Sequence, residues 1–122
     1  MIFKENNKAI YLQIADMICD QVLAGTLSAG QRIPSVREYA STLEVNANTV
    51  MRSYDYLESL GVIYNRRGVG FFIADDAGRI VADLRRSTFL DDELGDYFRR
   101  LGLLGVTPQE LSIMYENYLK KN

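Results

Sequence analysis

The sequence of 122 residues predicts a mainly α-helical protein with a small β wing. A winged helix-turn-helix is expected over residues 1–74, and a short two-helix segment over residues 75–122. Three observations predict this fold. Apolar residues recur at helical spacing, only two residues separate the second predicted helix from the cap of the third, and two β-prone runs flank a glycine-containing loop directly after them.

The first helix is predicted over residues 9–24. Gly25 follows the last apolar residue and is a typical helix stop, and Asn7 is a candidate N-terminal cap. The residues expected to face inward recur at helical spacing: Tyr11, Ile14, Ala15, Ile18 and Val22.

A capping motif predicts the second helix over residues 36–43. Residues 31–33 are expected to be extended, because the residue before Pro34 is pushed toward β geometry. Ser35 and Glu38 then have the spacing of a capping box. The expected inward residues are Val36, Tyr39, Ala40 and Leu43.

The third helix is predicted over residues 47–60, between the cap candidate Asn46 and the stop Gly61. Only Glu44 and Val45 separate the end of the second helix from this cap, so the two helices must cross steeply, as in a helix-turn-helix. Its buried stripe is expected to be Val50, Tyr54 and Leu57. The runs 62–64 and 71–73 around residues 66–70 then predict a hairpin, and hence a winged variant.

The C-terminal part predicts one long helix ending at Gly102, interrupted at most near Ser87-Thr88, and a last helix over 108–120. Thr107, Pro108 and Glu110 form the start signal of the last helix. Its expected inward residues are Leu111, Met114, Tyr115 and Leu119. The long helix has more apolar residues than one small layer needs, which favours a homodimer interface. The candidate interface residues are Leu84, Phe89, Leu90, Leu94, Phe98 and Leu101, and the alternative is that this stripe folds back onto the first helix.

Composition excludes several kinds of site. The chain has no His and a single Cys, Cys19, so we expect no His-based catalysis, no metal site, no cofactor and no internal disulfide. The acidic cluster 91–93 is interpreted as a solvated helix surface, and the chain is not expected to be an enzyme. The lack of a signal segment or a membrane-length apolar run predicts a cytoplasmic protein without a membrane partner.

The net charge of −2 and the pI near 5.1 weigh mildly against a nucleic-acid partner. Residues 1–74 contain seven Lys/Arg and seven Asp/Glu, and residues 75–122 contain seven and nine. A DNA-binding function must therefore rest on local geometry.

Local geometry does supply a polar face on the third helix. At 100° per residue, Asn48, Arg52 and Ser59 lie opposite Val50, and Asn46 and Asn48 stand at the start of the helix, the part that enters the major groove in a helix-turn-helix. Asn pairs two-fold with adenine, and Arg pairs with guanine or phosphate. Simpler interpretations remain open: Asn46 as a cap alone and Arg52 as a solvated surface residue. Arg37 could pair with a neighbouring acid, and Arg66-Arg67 could form a solvated hairpin tip.

The motifs YLQIADMI, GTLSAGQRIPSVREYA, VNANTVMRSYDYLESLGVI and RRGVGFFI resemble the N-terminal winged helix of GntR-family bacterial transcription regulators. The resemblance covers residues 10–74, and the short C-terminal part resembles the YtrA-like subfamily, in which it serves dimerisation. The resemblance implies DNA contacts by Arg37, Asn46, Asn48, Thr49 and the wing glycines Gly68 and Gly70; Arg52, Arg66 and Arg67 are added from the local geometry. Ala47 departs from the pattern, since many family members have Arg or Pro there, and Ala29 stands where Pro often precedes Gly30.

The sequence therefore predicts a homodimeric, sequence-specific regulator that binds a double-stranded, inverted-repeat operator. By analogy with the subfamily, it would repress a transporter-type operon. No small-molecule effector is predicted. The alternative is a winged-helix module that binds other proteins and not DNA, which the acidic pI favours slightly.

Overall fold

The structure, a computed structural model, describes residues 8–122. Its elements are α1 (Ile10–Ala24), α2 (Val36–Leu43), α3 (Ala47–Leu60), β1 (Ile63–Arg66), β2 (Gly70–Ile73), α4 (Ala77–Thr88), a π-helical segment (Phe89–Glu93), α5 (Leu94–Leu103) and α6 (Pro108–Lys121). The predicted fold class, mainly α with a small β wing, is confirmed. The chain forms two compact units: an N-terminal unit that ends at Leu84 and a C-terminal unit over Arg85–Asn122. No helix of the described part is both long and apolar enough to cross a bilayer.

The core of the N-terminal unit joins α1, α2 and α3 to the wing. Its buried apolar residues are Ile14, Ala15, Ile18, Cys19, Val22, Ile33, Ala40, Leu43, Val50, Tyr54, Leu57, Val62, Ile63, Ile73, Ala77 and Val81. The predicted stripes of the three helices are thus largely confirmed, although Tyr11, Val36 and Tyr39 are only half-buried. Ser53 is also fully buried, and its hydroxyl donates to the Tyr11 carbonyl oxygen over 2.6 Å, which ties α3 to α1.

Local caps fix the ends of α2 and α3. The Ser35–Glu38 capping box is present, and Gly61 ends α3 in a left-handed conformation. Glu44, with a φ of 58°, is the one described non-glycine residue with a positive φ, and its left-handed backbone makes the turn between α2 and α3 possible. Of the caps predicted for α1, Gly25 is confirmed, whereas Asn7 lies outside the described residues.

The wing consists of two antiparallel strands and a third extended segment. The three residues 67–69 connect β1 to β2, and Arg66 pairs with Gly70 at the end of the ladder. The predicted extended piece at residues 31–33 lies along the other edge of β2. There the Ile73 amide donates to the Gln31 carbonyl over 2.9 Å, and Arg32 forms a bridge with Phe72.

The first turns of α4 belong to the N-terminal unit. Ala77 and Val81 are 1% and 0% exposed, and both lie in its core cluster. The compact unit thus extends to Leu84, ten residues beyond the end of the winged helix that the sequence pattern places at residue 74. The wing does not close the core by itself, because part of α4 completes it.

The C-terminal unit is helical but has no buried residue in its helical elements Phe89–Glu93, α5 and α6. The predicted interruption of the long helix corresponds to the π-helical segment, which follows Ser87-Thr88 directly, and α5 ends at Leu103. The Thr107–Glu110 capping box of α6 is confirmed. The expectation that α6 buries an inward face is wrong for a single chain. Leu111 is half-buried, and Met114, Tyr115 and Leu119 are 54%, 62% and 55% exposed, because this unit has no second layer to cover them.

Candidate functional site

The start of α3 presents two asparagines in different roles. Asn46 is the N-cap, and its side-chain oxygen accepts a hydrogen bond from the Asn48 backbone amide over 2.8 Å. The cap interpretation of Asn46 is therefore correct as far as it goes, and the cap leaves the side-chain NH₂ group of Asn46 for other partners. The Asn48 side chain is exposed, and no described residue hydrogen-bonds to it. Thr49 is half-buried beside it, with its carbonyl oxygen 3.1 Å from the Ser53 hydroxyl.

The two faces of α3 differ sharply in exposure. Val50, Ser53, Tyr54 and Leu57 are fully buried, whereas Asn48, Arg52 and Ser59 are exposed, as the helical wheel predicts. The buried stripe anchors the helix through its length, and the Tyr54 hydroxyl donates to the Pro34 carbonyl oxygen over 2.7 Å. The exposed face consequently belongs to a helix whose opposite face is packed into the core.

Arg52 is held in place by an aromatic pair that sequence reasoning missed. Its guanidinium carbon lies 4.1 Å from the centroid of the Tyr11 ring. Tyr11 in turn meets Tyr56 edge to face, with the ring centroids 6.4 Å apart. A cation stacked on an aromatic face has fewer available orientations than a solvated one. The sequence contains no local signal for this contact, because it depends on how α1 packs against α3.

Arg37 is exposed in the first turn of α2, and no described carboxylate lies within ion-pair distance of it. Its neighbour Glu38 is engaged elsewhere. The Ser35 hydroxyl and backbone amide hold the pKa of the Glu38 carboxyl below its usual range, and the charge of Arg32 adds to this effect. The alternative in which Arg37 pairs with an adjacent acid therefore has no support in the described residues.

The wing arginines are exposed, and the glycines around them have special backbones. Gly68 has a φ of 78°, and Gly70 has a φ of 138°. The Arg66 guanidinium lies 5.7 Å from the Phe72 ring centroid. A Cβ at Gly70 would stand only 2.9 Å from the Arg32 Nε atom, so the Arg32 side chain lies directly across this glycine. Arg32 was not among the predicted site residues, because its sequence position shows only an extended piece before Pro34. That Arg37, Asn48 and the wing arginines share one surface stays a prediction.

The candidate dimer residues are exposed or half-buried in the isolated chain. Phe89, Leu90 and Phe98 are 43%, 43% and 53% exposed. The other three, Leu84, Leu94 and Leu101, are half-buried.

The N-terminal unit also contains a cleft of about 310 Å³. It is lined by Ile18, Gln21, Thr26, Leu27, Gln31, Ile33, Pro34, Tyr39 and Tyr54. Burial raises the pKa of both tyrosine hydroxyls, so they stay neutral at physiological pH. In the described part of the chain, no group of three or more His, Cys, Asp or Glu side chains is placed to hold a metal ion.

The chain is similar to a known family of proteins and to several of its members. Residues 10–73 match the family described as bacterial regulatory proteins, gntR family. A relative from Bacillus subtilis, the HTH-type transcriptional regulator YhcF, is 37% identical over 107 residues, which cover 88% of this chain and 87% of the relative. The HTH-type transcriptional repressor YtrA of the same organism is 40% identical over 68 residues, covering 56% of this chain and 52% of YtrA.

Solved structures agree with these matches. A transcriptional regulator of the GntR family from Bacteroides thetaiotaomicron is 52% identical and superposes with a TM-score of 0.82, covering 93% of this chain and 98% of the other. The DNA-binding domain of AraR in complex with the operator ORR3 is 26% identical with a TM-score of 0.54, covering 61% of this chain and 89% of that domain. The resemblance to GntR-family and YtrA-type regulators is thereby confirmed.

Proposed function

Because this chain belongs to the gntR family of bacterial regulatory proteins, we propose that it is a sequence-specific repressor that binds an inverted-repeat operator as a homodimer. The observation that carries the proposal is the exposed polar start of α3 above a fully buried stripe. A helix held rigidly by its buried face can place side chains at base edges without a large ordering cost.

Each site residue has a proposed role in DNA binding. Asn48 reads a base edge in the major groove, with Asn46 beside it as cap and second amide. Thr49 and Arg52 contact the backbone or base edges from the same helix. The start of α2 contributes Arg37 as a phosphate or base contact. The wing contributes Arg66, Arg67, Gly68 and Gly70, the glycines allowing the main chain to approach the DNA closely.

Assembly of two copies follows from the C-terminal unit. One winged helix contacts one half-site, whereas a two-fold dimer reads two half-sites about one DNA turn apart. The exposed apolar surface that includes Phe89, Leu90 and Phe98 is the proposed interface, because patches of this kind usually mark an association site. The repressor assignment follows the name of the relative YtrA, and control of a nearby transporter-type operon and a cytoplasmic location extend the same analogy.

Binding-site selection on random DNA tests the proposal. Wild-type protein should enrich an inverted repeat, and Asn48→Ala should relax the preference at one or two positions while the melting temperature stays near wild type. An Arg37→Ala, Arg52→Ala double variant should lose roughly 1–3 kcal/mol of specific binding per base contact. Unchanged affinity in the double variant would show that another face docks.

The second candidate function is a winged-helix module that binds proteins. The net charge of −2 favours it, since it gives the chain no basic footprint. The selection experiment separates the two functions, because a protein-binding module enriches no DNA sequence.

A further inference from the structure

One face of the wing sheet points away from the core. Residues directly opposite each other in antiparallel strands project to the same side, and side chains alternate along each strand. Ile63 and Ile73 are buried, and Phe71 packs edge to face on Tyr54 with centroids 5.0 Å apart, so this set forms the inner face. The register puts the remaining set on the outer face: Arg32, Tyr64, Arg66, Gly70 and Phe72.

The outer wing face combines an aromatic pair with two arginines. Tyr64 stacks on Phe72 with ring centroids 5.7 Å apart, and the Arg66 guanidinium carbon lies 5.7 Å from the Phe72 centroid. Arg32 reaches the face from the third extended segment, and its guanidinium lies across Gly70. Gly70 is the strand partner of Arg66.

No described carboxylate lies within ion-pair distance of Arg32 or Arg66. Glu38 is close enough to feel the charge of Arg32, but the capping box with Ser35 engages that carboxylate. Arg32 and Arg66 are both exposed, so an external anion can pair with either guanidinium. Gly70 leaves room for the Arg32 guanidinium, because a Cβ there would stand only 2.9 Å from the Arg32 Nε atom.

We propose that the outer wing face binds the phosphate backbone of the DNA duplex, with Arg32 as a phosphate contact in addition to the arginines of the wing itself. The inference rests on the proposed DNA-binding function and extends its footprint beyond the hairpin tip. Arg and Tyr side chains are common donors to phosphate oxygens, and here Arg32, Arg66 and the Tyr64 hydroxyl stand on one surface. The main chain at Arg32 is two strands away from that at Arg66, about 10 Å at the usual strand spacing, so Arg32 extends the footprint beyond the hairpin tip.

The test measures how DNA affinity depends on salt concentration. Wild type, Arg32→Gln, Arg32→Lys and the control Arg79→Gln are titrated against the selected operator duplex and against a random-sequence duplex. Arg79 is an exposed arginine of α4 that pairs with Asp76 and Asp83, so its variant removes the same charge away from the wing. Melting temperatures are recorded for all four proteins.

Arg32→Gln is expected to reduce the slope of log affinity against log salt by about 1.8 on both duplexes, because each protomer of the dimer loses one phosphate contact, at about 0.9 per contact. Arg32→Lys should restore most of the slope, and Arg79→Gln should not change it. A wild-type slope in Arg32→Gln overturns the inference while specific wild-type binding upholds the proposed function. A reduced slope without any preference for the selected duplex upholds the inference and overturns sequence-specific recognition. A lowered melting temperature with an unchanged slope assigns Arg32 a purely structural role and also overturns the inference.

Discussion

The two units of this chain differ in how far they bury their apolar residues. The N-terminal unit encloses a core in which Ile14, Val50 and Leu57 are completely buried. In the C-terminal unit, Phe98, Leu104 and Tyr115 are 53%, 79% and 62% exposed. Apolar surface of this extent is costly in water, at about 25 cal/mol per Å². The first unit thus buries its apolar residues within itself, whereas the second exposes apolar residues that the proposed dimer would cover.

The largest expected effect comes from disrupting the proposed dimer interface of the C-terminal unit. A Leu94→Asp, Phe98→Asp variant should be a monomer by sedimentation at micromolar concentration, because it places two charges in the proposed interface. Operator affinity should fall roughly a hundredfold or more with the loss of bivalent binding.

The matched control for this variant adds the same charges on the polar side of α6, as Gln109→Asp, Asn117→Asp. It should keep the dimer mass and the operator affinity. A wild-type mass for Leu94→Asp, Phe98→Asp would mean that the apolar surface is covered in some other way.

The next effect concerns the self-sufficient core. Leu57→Ala should lower the free energy of unfolding by about 3 kcal/mol, through lost burial and the cavity left behind. Leu23→Ala serves as the control, because Leu23 is 45% exposed and the same change there should cost far less. Urea unfolding measures both. Dimerisation is proposed to depend on the C-terminal unit alone, so the folded Leu57→Ala protein should keep its dimer mass. Loss of the dimer in this variant would contradict that separation.

A smaller effect tests the turn that orients α3. Glu44→Gly should be more stable than Glu44→Ala by about 1 kcal/mol, because both variants lose the Glu side chain but only glycine relieves the left-handed backbone. Gly61→Ala should be less stable than wild type, because Gly61 has a left-handed backbone at the end of α3 that alanine disfavours. Thermal unfolding of the three variants is sufficient, and equal stability of Glu44→Gly and Glu44→Ala would show that this turn is not strained.

The smallest effect concerns the preset position of Arg52. Tyr11→Leu should weaken operator binding about threefold by removing the ring under the guanidinium, while Tyr11→Phe should bind like wild type. In an Arg52→Ala background, Tyr11→Leu should cause no further loss. Fluorescence anisotropy with the selected duplex measures these differences, and equal losses for Tyr11→Phe and Tyr11→Leu would contradict the role of the ring.

Local sequence signals predicted much of the fold of the N-terminal unit. The capping box at Ser35, the stop at Gly61 and the apolar stripe of α3 each act within a few residues, so they can be recognised without a structure. The π-helical geometry of Phe89–Glu93 was not predictable in the same way, because the sequence marked only a weak point in the helix and not the form of the interruption. The inward face predicted for α6 was wrong because the pattern identifies an apolar face but not the molecule that covers it.

In the candidate site too, local sequence predicted some features and tertiary packing determines the others. Residue type and helix position identified Asn48 and Arg52, and both are exposed as expected. The contacts that orient the arginines escaped prediction, because Tyr11 meets Arg52 and Arg32 meets Gly70 only after distant segments have packed together. Their placement depends on the tertiary structure, whereas the candidate residues themselves follow from the local pattern.

The burial of Cys19 has a practical consequence for spectroscopy. It is the single cysteine of the chain, and its side chain is only 5% exposed in the core of the N-terminal unit. A thiol that is buried in the core reacts slowly with alkylating reagents, because the reagent cannot reach it. The native Cys19 should therefore take up little dye during site-directed labelling. Val69 is 52% exposed in the wing loop. A Val69→Cys variant would therefore take up a maleimide dye selectively and report DNA binding at the wing, and Cys19 would not have to be replaced.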